Sequence, residues 1–278
     1  MSPRRGRVTV ALAGLVALAG LAGLGGCAGG PGGAMVDEPA PVPTASDQTE
    51  AERRARVRLE LATAYFSRGQ LDTALDEVKL ALQTSPANSP TAADAFHLRG
   101  LVYSAMGQDR LADDSFRRAL AINPRDGGVL HNQAWLLCQR NQHAEAQALF
   151  NQALAVPGYR DMARTQLARG VCLARANQWP EAEAALMRAH ELDPANPSVS
   201  FSLAEVLLRR GELDRARFHI ARVNDTPGAS NAQTLWLAAR IEHKAGRVLA
   251  LRVLGEQLRN RHPQSPEAAL FDRGQFDD

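Results

Sequence analysis

The 278-residue chain carries 32 basic and 30 acidic side chains, a formal charge of +2, and only 5% aromatic residues. That balance excludes the basic surface a nucleic-acid binder needs, and the scarcity of aromatics excludes a base-stacking platform. The cations are nearly all arginine, with Lys79 and Lys244 the only lysines, and they are spread along the chain rather than clustered.

The first segment reads as a secretory signal. Arg4, Arg5 and Arg7 precede an apolar stretch from Val8 to Leu24, which ends in Leu24-Gly25-Gly26-Cys27. This ending is similar to the bacterial lipobox, in which the chain is cut before the cysteine and its thiol is acylated with palmitate-type chains. Residues 1–26 are then a lipoprotein signal peptide and Cys27 the lipidation site; an ordinary signal peptide or an uncleaved anchor is the alternative. Each buried methylene contributes about 0.8 kcal/mol, so two or three acyl chains hold where one is marginal. Ala28 follows the cysteine where an Asp would mark inner-membrane retention, so the expected destination is the periplasmic face of the outer membrane. Residues 27–50 are Gly/Pro-rich without periodicity and read as a disordered tether. About 22 such residues have an r.m.s. span of roughly 25 Å.

From residue 51 to 264 a skeleton of small residues recurs. Ala62–Ala74–Ala81–Pro86, Gly100–Ala112–Ala119–Pro124, Ala134–Ala146–Ala153, Gly170–Ala182–Ala189–Pro194 and Ala204–Ala216 share spacings of 12, 7 and 5 residues where complete. Small residues at this spacing let two antiparallel helices approach closely, and the proline ends the second helix. That is the tetratricopeptide signature. It predicts an all-α superhelix of about six helix-turn-helix units, near residues 55–88, 93–126, 127–160, 163–196, 197–230 and 232–264. The sixth unit is degenerate, with Leu251 and Gly255 replacing the usual small and large residues, and reads as a cap. Residues 265–278 read as a short tail, acidic at Asp277-Asp278.

Repeat register assigns the concave face to the first helix of each unit. It places Leu59, Thr63 and Phe66 there, then His97 and Leu101, then His131 and Trp135, with Leu167, Val171 and Phe201 further on. An apolar groove in a helical array accepts a partner segment, so the first seven are the candidate partner-binding residues. Asp113-Asp114 and Asp76-Glu77 read as solvated. Cys138 and Cys172 fall at nearly equivalent places in the first helices of units three and four. Such helices pack side by side, which leaves two readings: a disulfide in an oxidising compartment, or two buried free thiols. The seven histidines show no i,i+4 pair and no zinc spacing with cysteine, and read as surface or groove residues. With no phosphate loop, nucleophile elbow or activated Cys–His pair, no catalytic site, metal or cofactor is expected, nor a small-molecule substrate.

The run His131-Asn132-Gln133-Ala134-Trp135-Leu136-Leu137-Cys138 resembles one found in the type IV pilus biogenesis/stability lipoproteins, the PilF/PilW pilotin group. Pro157-Gly158-Tyr159, Gly170-Val171-Cys172, Pro263-Gln264-Ser265-Pro266-Glu267 and Gly274-Gln275-Phe276 also resemble that family. Gln133, Ala134 and Arg169 depart from its pattern. The resemblance supports a Cys138–Cys172 bridge and implies a non-enzymatic role. It also implies a partner, the secretin subunit or another type IV pilus protein, whose localisation, multimerisation or stability the chain assists. A general envelope adaptor for cell-wall enzymes or outer-membrane assembly is the alternative.

Overall fold

The structure, a computed structural model, describes residues 49–276. The leader, Cys27, the tether up to residue 48 and Asp277-Asp278 lie outside the described residues.

The described residues form thirteen α-helices and no strand. Twelve of them make six antiparallel pairs. These are α1 (Glu50–Ser67) with α2 (Leu71–Thr84), α3 (Pro90–Ala105) with α4 (Asp109–Ile122), and α5 (Gly127–Gln139) with α6 (His143–Leu154). Then come α7 (Met162–Arg175) with α8 (Trp179–Leu192), α9 (Pro197–Arg209) with α10 (Leu213–Asp225), and α11 (Ala232–Lys244) with α12 (Val248–Arg261). Helix α13 (Pro266–Asp272) follows. Each pair packs on the next in chain order. No helix among the described residues is long and apolar enough to cross a membrane.

The two kinds of helix start differently. Most first helices are capped by a side chain: Thr49, Ser89, Asp126, Asn196 and Asn231 accept from backbone N–H groups of the first turn. Thr49 with Glu52 closes a full capping box. Second helices have no side-chain cap. They begin instead from a turn that satisfies the end of the preceding helix. The residue at its corner has positive φ: Gly69, Gly107, Asn141, Asn177, Gly211 or Gly246. The residue after it donates its N–H five positions back in the Schellman pattern, as from Gln70 to Tyr65 at 3.0 Å and from Gln142 to Leu137 at 2.9 Å. Six repetitions of this turn give every pair the same reversal. Asparagine serves at two corners because its short side chain tolerates the left-handed region.

The small-residue skeleton lies where the helices of a pair touch. Ala62, Ala74, Ala81, Ala112, Ala134, Ala146, Ala153, Ala182, Ala189, Ala204 and Ala216 are all fully buried. Added bulk has no room there: a Cβ on Gly170 would sit 2.6 Å from Leu186 Cγ, and one on Gly100 would strike the Phe116 ring. The core is a chain of local clusters rather than one mass. Val78 and Leu98 join the first two pairs. Phe116, Val129 and Leu136 join the second and third, and Phe150 joins the third and fourth. Leu186, Leu203, Ile220 and Leu237 run through the last three pairs.

The C-terminal end differs from the sequence expectation. Residues 265–276 are not a loose tail: α13 packs against α11 and α12, burying Ala268 with Leu235 and Leu258. Gly255 stands where other repeats carry a large residue because Phe271 of α13 fills its place; a Cβ on Gly255 would collide with that ring. The cap is therefore α13, and the sixth pair is degenerate in order to receive it.

Candidate functional site

The first helices α1, α3, α5, α7, α9 and α11 line one face of the array, and equivalent positions recur about every 34 residues. Residues 97, 131 and 165 are one such position, occupied by His97, His131 and Thr165. His97 Nε2 accepts from Asn132 Nδ2 at 2.8 Å, and His131 Nδ1 shares a 2.9 Å hydrogen bond with Thr165 Oγ1. Tyr159 Oη reaches the same hydroxyl at 2.8 Å. These bonds step from one repeat to the next, so they fix how neighbouring first helices sit.

This ladder corrects the placement of His131. The sequence register puts it on the groove surface, but it is 4% exposed and stands edge-on to Phe150. It is a structural residue between repeats and is not available to a partner. Asp113 also departs from its expected solvated role. It is buried, accepts from Gln133 Nε2 at 2.8 Å and pairs with Arg117 at 2.7 Å.

Burial lowers the His131 pKa to about 4, with Arg164 and more weakly His97 adding to the effect and Asp161 opposing it. In an unfolded chain histidine titrates near 6.5, so below that pH the unfolded state takes a proton the folded state refuses. Stability is thus full above about pH 6.5 and is lost as pH falls toward 4, by on the order of 2–3 kcal/mol for this group. His219, buried beside His190, Arg215 and Arg222, is also lowered to about 4 and acts in the same window. Urea unfolding at about pH 7 and about pH 4.5 should show the loss, and His131→Gln should remove part of it. Equal stability of the wild type at both values would contradict the assignment.

The remaining candidates divide by depth. Thr63 is exposed, and its hydroxyl donates to Leu59 O. Leu59, Phe66 and Leu101 are half-buried, their inner sides against the core of the first two pairs. Trp135 is half-buried over the third core cluster, with the Arg175 guanidinium 5.0 Å from its ring centre. His97 is half-buried and engaged with Asn132. The strip is therefore apolar and partly open, with each side chain anchored from behind. Further along, a cavity of about 320 Å³ among α7, α8 and α9 is lined by Val171, Trp179, Leu186, Glu205 and Arg209.

Cys138 and Cys172 form a disulfide joining α5 to α7, with Cα atoms 5.8 Å apart. His143 Nδ1 lies 3.6 Å from Cys172 Sγ, which brings three metal-ligating residue types together. With both sulfurs bonded to each other, this group offers no thiolate to a metal ion.

Comparison with known proteins agrees with this architecture. Tetratricopeptide-repeat family models match residues 93–126, 131–197 and 173–241. The chain belongs to the tetratricopeptide-repeat family, whose stacked helix pairs form interaction surfaces. Within that family it is homologous to the type IV pilus assembly protein PilF of Pseudomonas aeruginosa, 26% identical over 229 residues, covering 82% of this chain and 88% of the relative. The crystal structure of PilW, a widely conserved type IV pilus biogenesis factor, superposes with a TM-score of 0.72 at 29% identity. That match covers 77% of this chain and 96% of PilW. The Pseudomonas aeruginosa PilF structure shares the fold with a TM-score of 0.71 at 23% identity, covering 82% of this chain and all of that one. As their homologue the chain is a scaffold of the protein-interaction kind and not an enzyme.

Proposed function

We propose that this chain is an outer-membrane lipoprotein of type IV pilus biogenesis that binds the secretin subunit and assists its localisation and multimerisation. The homology to PilF and PilW supports the pilus context. One observation carries the mode of action: the strip of Leu59, Phe66, Leu101 and Trp135, apolar and half-open on the first-helix face, with exposed Thr63 among them. Such a surface takes up the apolar face of a partner segment. Acyl chains on Cys27 supply location, the tether supplies reach, and the groove supplies grip. Escorting a client needs only binding, which an interaction scaffold supplies.

Affinity capture from detergent-solubilised envelopes tests this reading. Tagged wild-type protein should retain the secretin, and Phe66→Ser with Leu101→Ser should reduce recovery by at least about tenfold. Because both side chains also support the core, Thr63→Arg serves as a companion: it places a long cation in the strip without removing packed atoms. Unchanged secretin recovery with Thr63→Arg and the double variant would refute the groove. Cys27→Ala should move the protein from the membrane to the soluble fraction.

A further inference from the structure

At the last repeats the first-helix face changes character. A cavity of about 400 Å³ opens between α9 and α11, walled by Leu208, Arg209, Arg240, His243, Lys244 and Phe276. Arg209 and Lys244 are the final residues of the two helices. A cation at a helix C-terminus is stabilised by only about 0.3–1 kcal/mol, which accounts for a basic residue at each end but not for their convergence on one cavity. Among the described residues no carboxylate forms an ion pair with Arg209 or Lys244. Arg240 is engaged, donating from Nε to the Phe276 carbonyl at 3.2 Å. The opposing charge is Glu205, one turn before Arg209. Although solvent reaches Glu205, the protein packed around it desolvates the carboxyl and raises its pKa, and Arg240 and then Arg209 counter that rise. Glu205 is thus a carboxylate whose charge reaches Arg240 and Arg209.

The apolar part of the cavity is built with equal care. The Phe276 ring stacks on His243 at 4.2 Å and on Trp236 at 5.2 Å between centroids, with Phe271 edge-on at 5.5 Å. Phe276 is thus held by three neighbouring rings, and Leu208 also lines the cavity. Arg209 and Lys244, without an ion-pair partner among the described residues, stand beside an aromatic surface and select a ligand with carboxylates next to an apolar side chain. The next residues of the chain, Asp277-Asp278, have the same chemistry.

We propose that this cavity is a binding site for an acidic segment of a partner protein, its carboxylates held by Arg209 and Lys244 and its apolar side chain against Leu208 and Phe276. The site lies in the fifth and sixth repeats, apart from the apolar strip of the first three, and does not depend on the function proposed for that strip.

Fluorescence anisotropy with two labelled peptides tests the proposal on the full chain in detergent. One peptide carries a phenylalanine flanked by aspartates, and the other carries asparagines in their place. Both are titrated against the wild type and against Asp277→Asn/Asp278→Asn, so that competition from the chain's own acidic end is visible. The acidic peptide should bind saturably to at least one of these proteins, at least about tenfold tighter than its amide counterpart, and weaken as salt rises from about 50 to 300 mM. Arg209→Ala with Lys244→Gln should lose at least about tenfold in affinity. Absence of saturable binding to both proteins, equal affinity for the two peptides, or no effect of the Arg209/Lys244 substitutions would overturn it.

Discussion

Cys138→Ser, or Cys138 and Cys172 both to Ser, is expected to lower the free energy of unfolding by about 4 kcal/mol. The bond closes a span of 34 residues between α5 and α7. In the chain-entropy account such a closure removes about that much disorder from the unfolded state. The folded state needs little adjustment, because both side chains are fully buried and a serine fits the space. The remaining cost of burying a serine hydroxyl adds to the loss rather than offsetting it. Urea unfolding of the wild type with and without a strong reductant provides the comparison: the double serine variant should be destabilised at least as much as reduced wild type, and reductant should not affect the variant. A midpoint shift equivalent to less than about 1 kcal/mol would show that the covalent link does not support the array.

Ala119→Arg should be at least as damaging. Ala119 is 1% exposed, in the cluster formed by Ala112, Phe116, Val129 and Leu136. Overfilling a packed contact costs about 1–3 kcal/mol, and a guanidinium there has no partner, which adds several more. The total is about 4 kcal/mol or more, and the melting point should fall by roughly 10 °C. Because the core is a series of local clusters, the damage should be concentrated in the second and third repeats and broaden the transition rather than shift it rigidly. A variant that melted within a degree or two of wild type would mean that residue 119 does not lie between helices in solution.

The two predictions rest on features of unequal visibility in the sequence. The alanine at 119 is readable because the spacing Gly100–Ala112–Ala119–Pro124 repeats elsewhere and matches the tetratricopeptide signature. The turn corners are half-readable. Gly69, Gly107, Gly211 and Gly246 announce themselves, whereas Asn141 and Asn177 do the same work without a glycine to mark it. Register alone misplaces His131 because a first helix has two neighbours, the groove and the next first helix, and a position counted along the sequence does not separate them. The 2.9 Å bond to Thr165 shows which neighbour it meets. Asp113 is hidden for a similar reason, since its partner Gln133 comes from the following repeat. Helix α13 spans only 7 residues, too few for a period to emerge. The cationic cavity is invisible for another reason: Arg209, Lys244 and Phe276 lie far apart in a chain whose basic residues look evenly dispersed, and only the stacking of α9 on α11 with the returning C-terminal residues assembles them.

The disulfide also sets how far the chain can stretch. A pull applied between Thr49 and Phe276 would run along the backbone as far as Cys138, cross the sulfur–sulfur bond and resume at Cys172. Residues 139–171 would carry no load. Helix α6 and the corner at Asn141 lie wholly within that slack loop, so while the bond is intact the middle of the array contributes almost nothing to the extended contour of a loaded molecule.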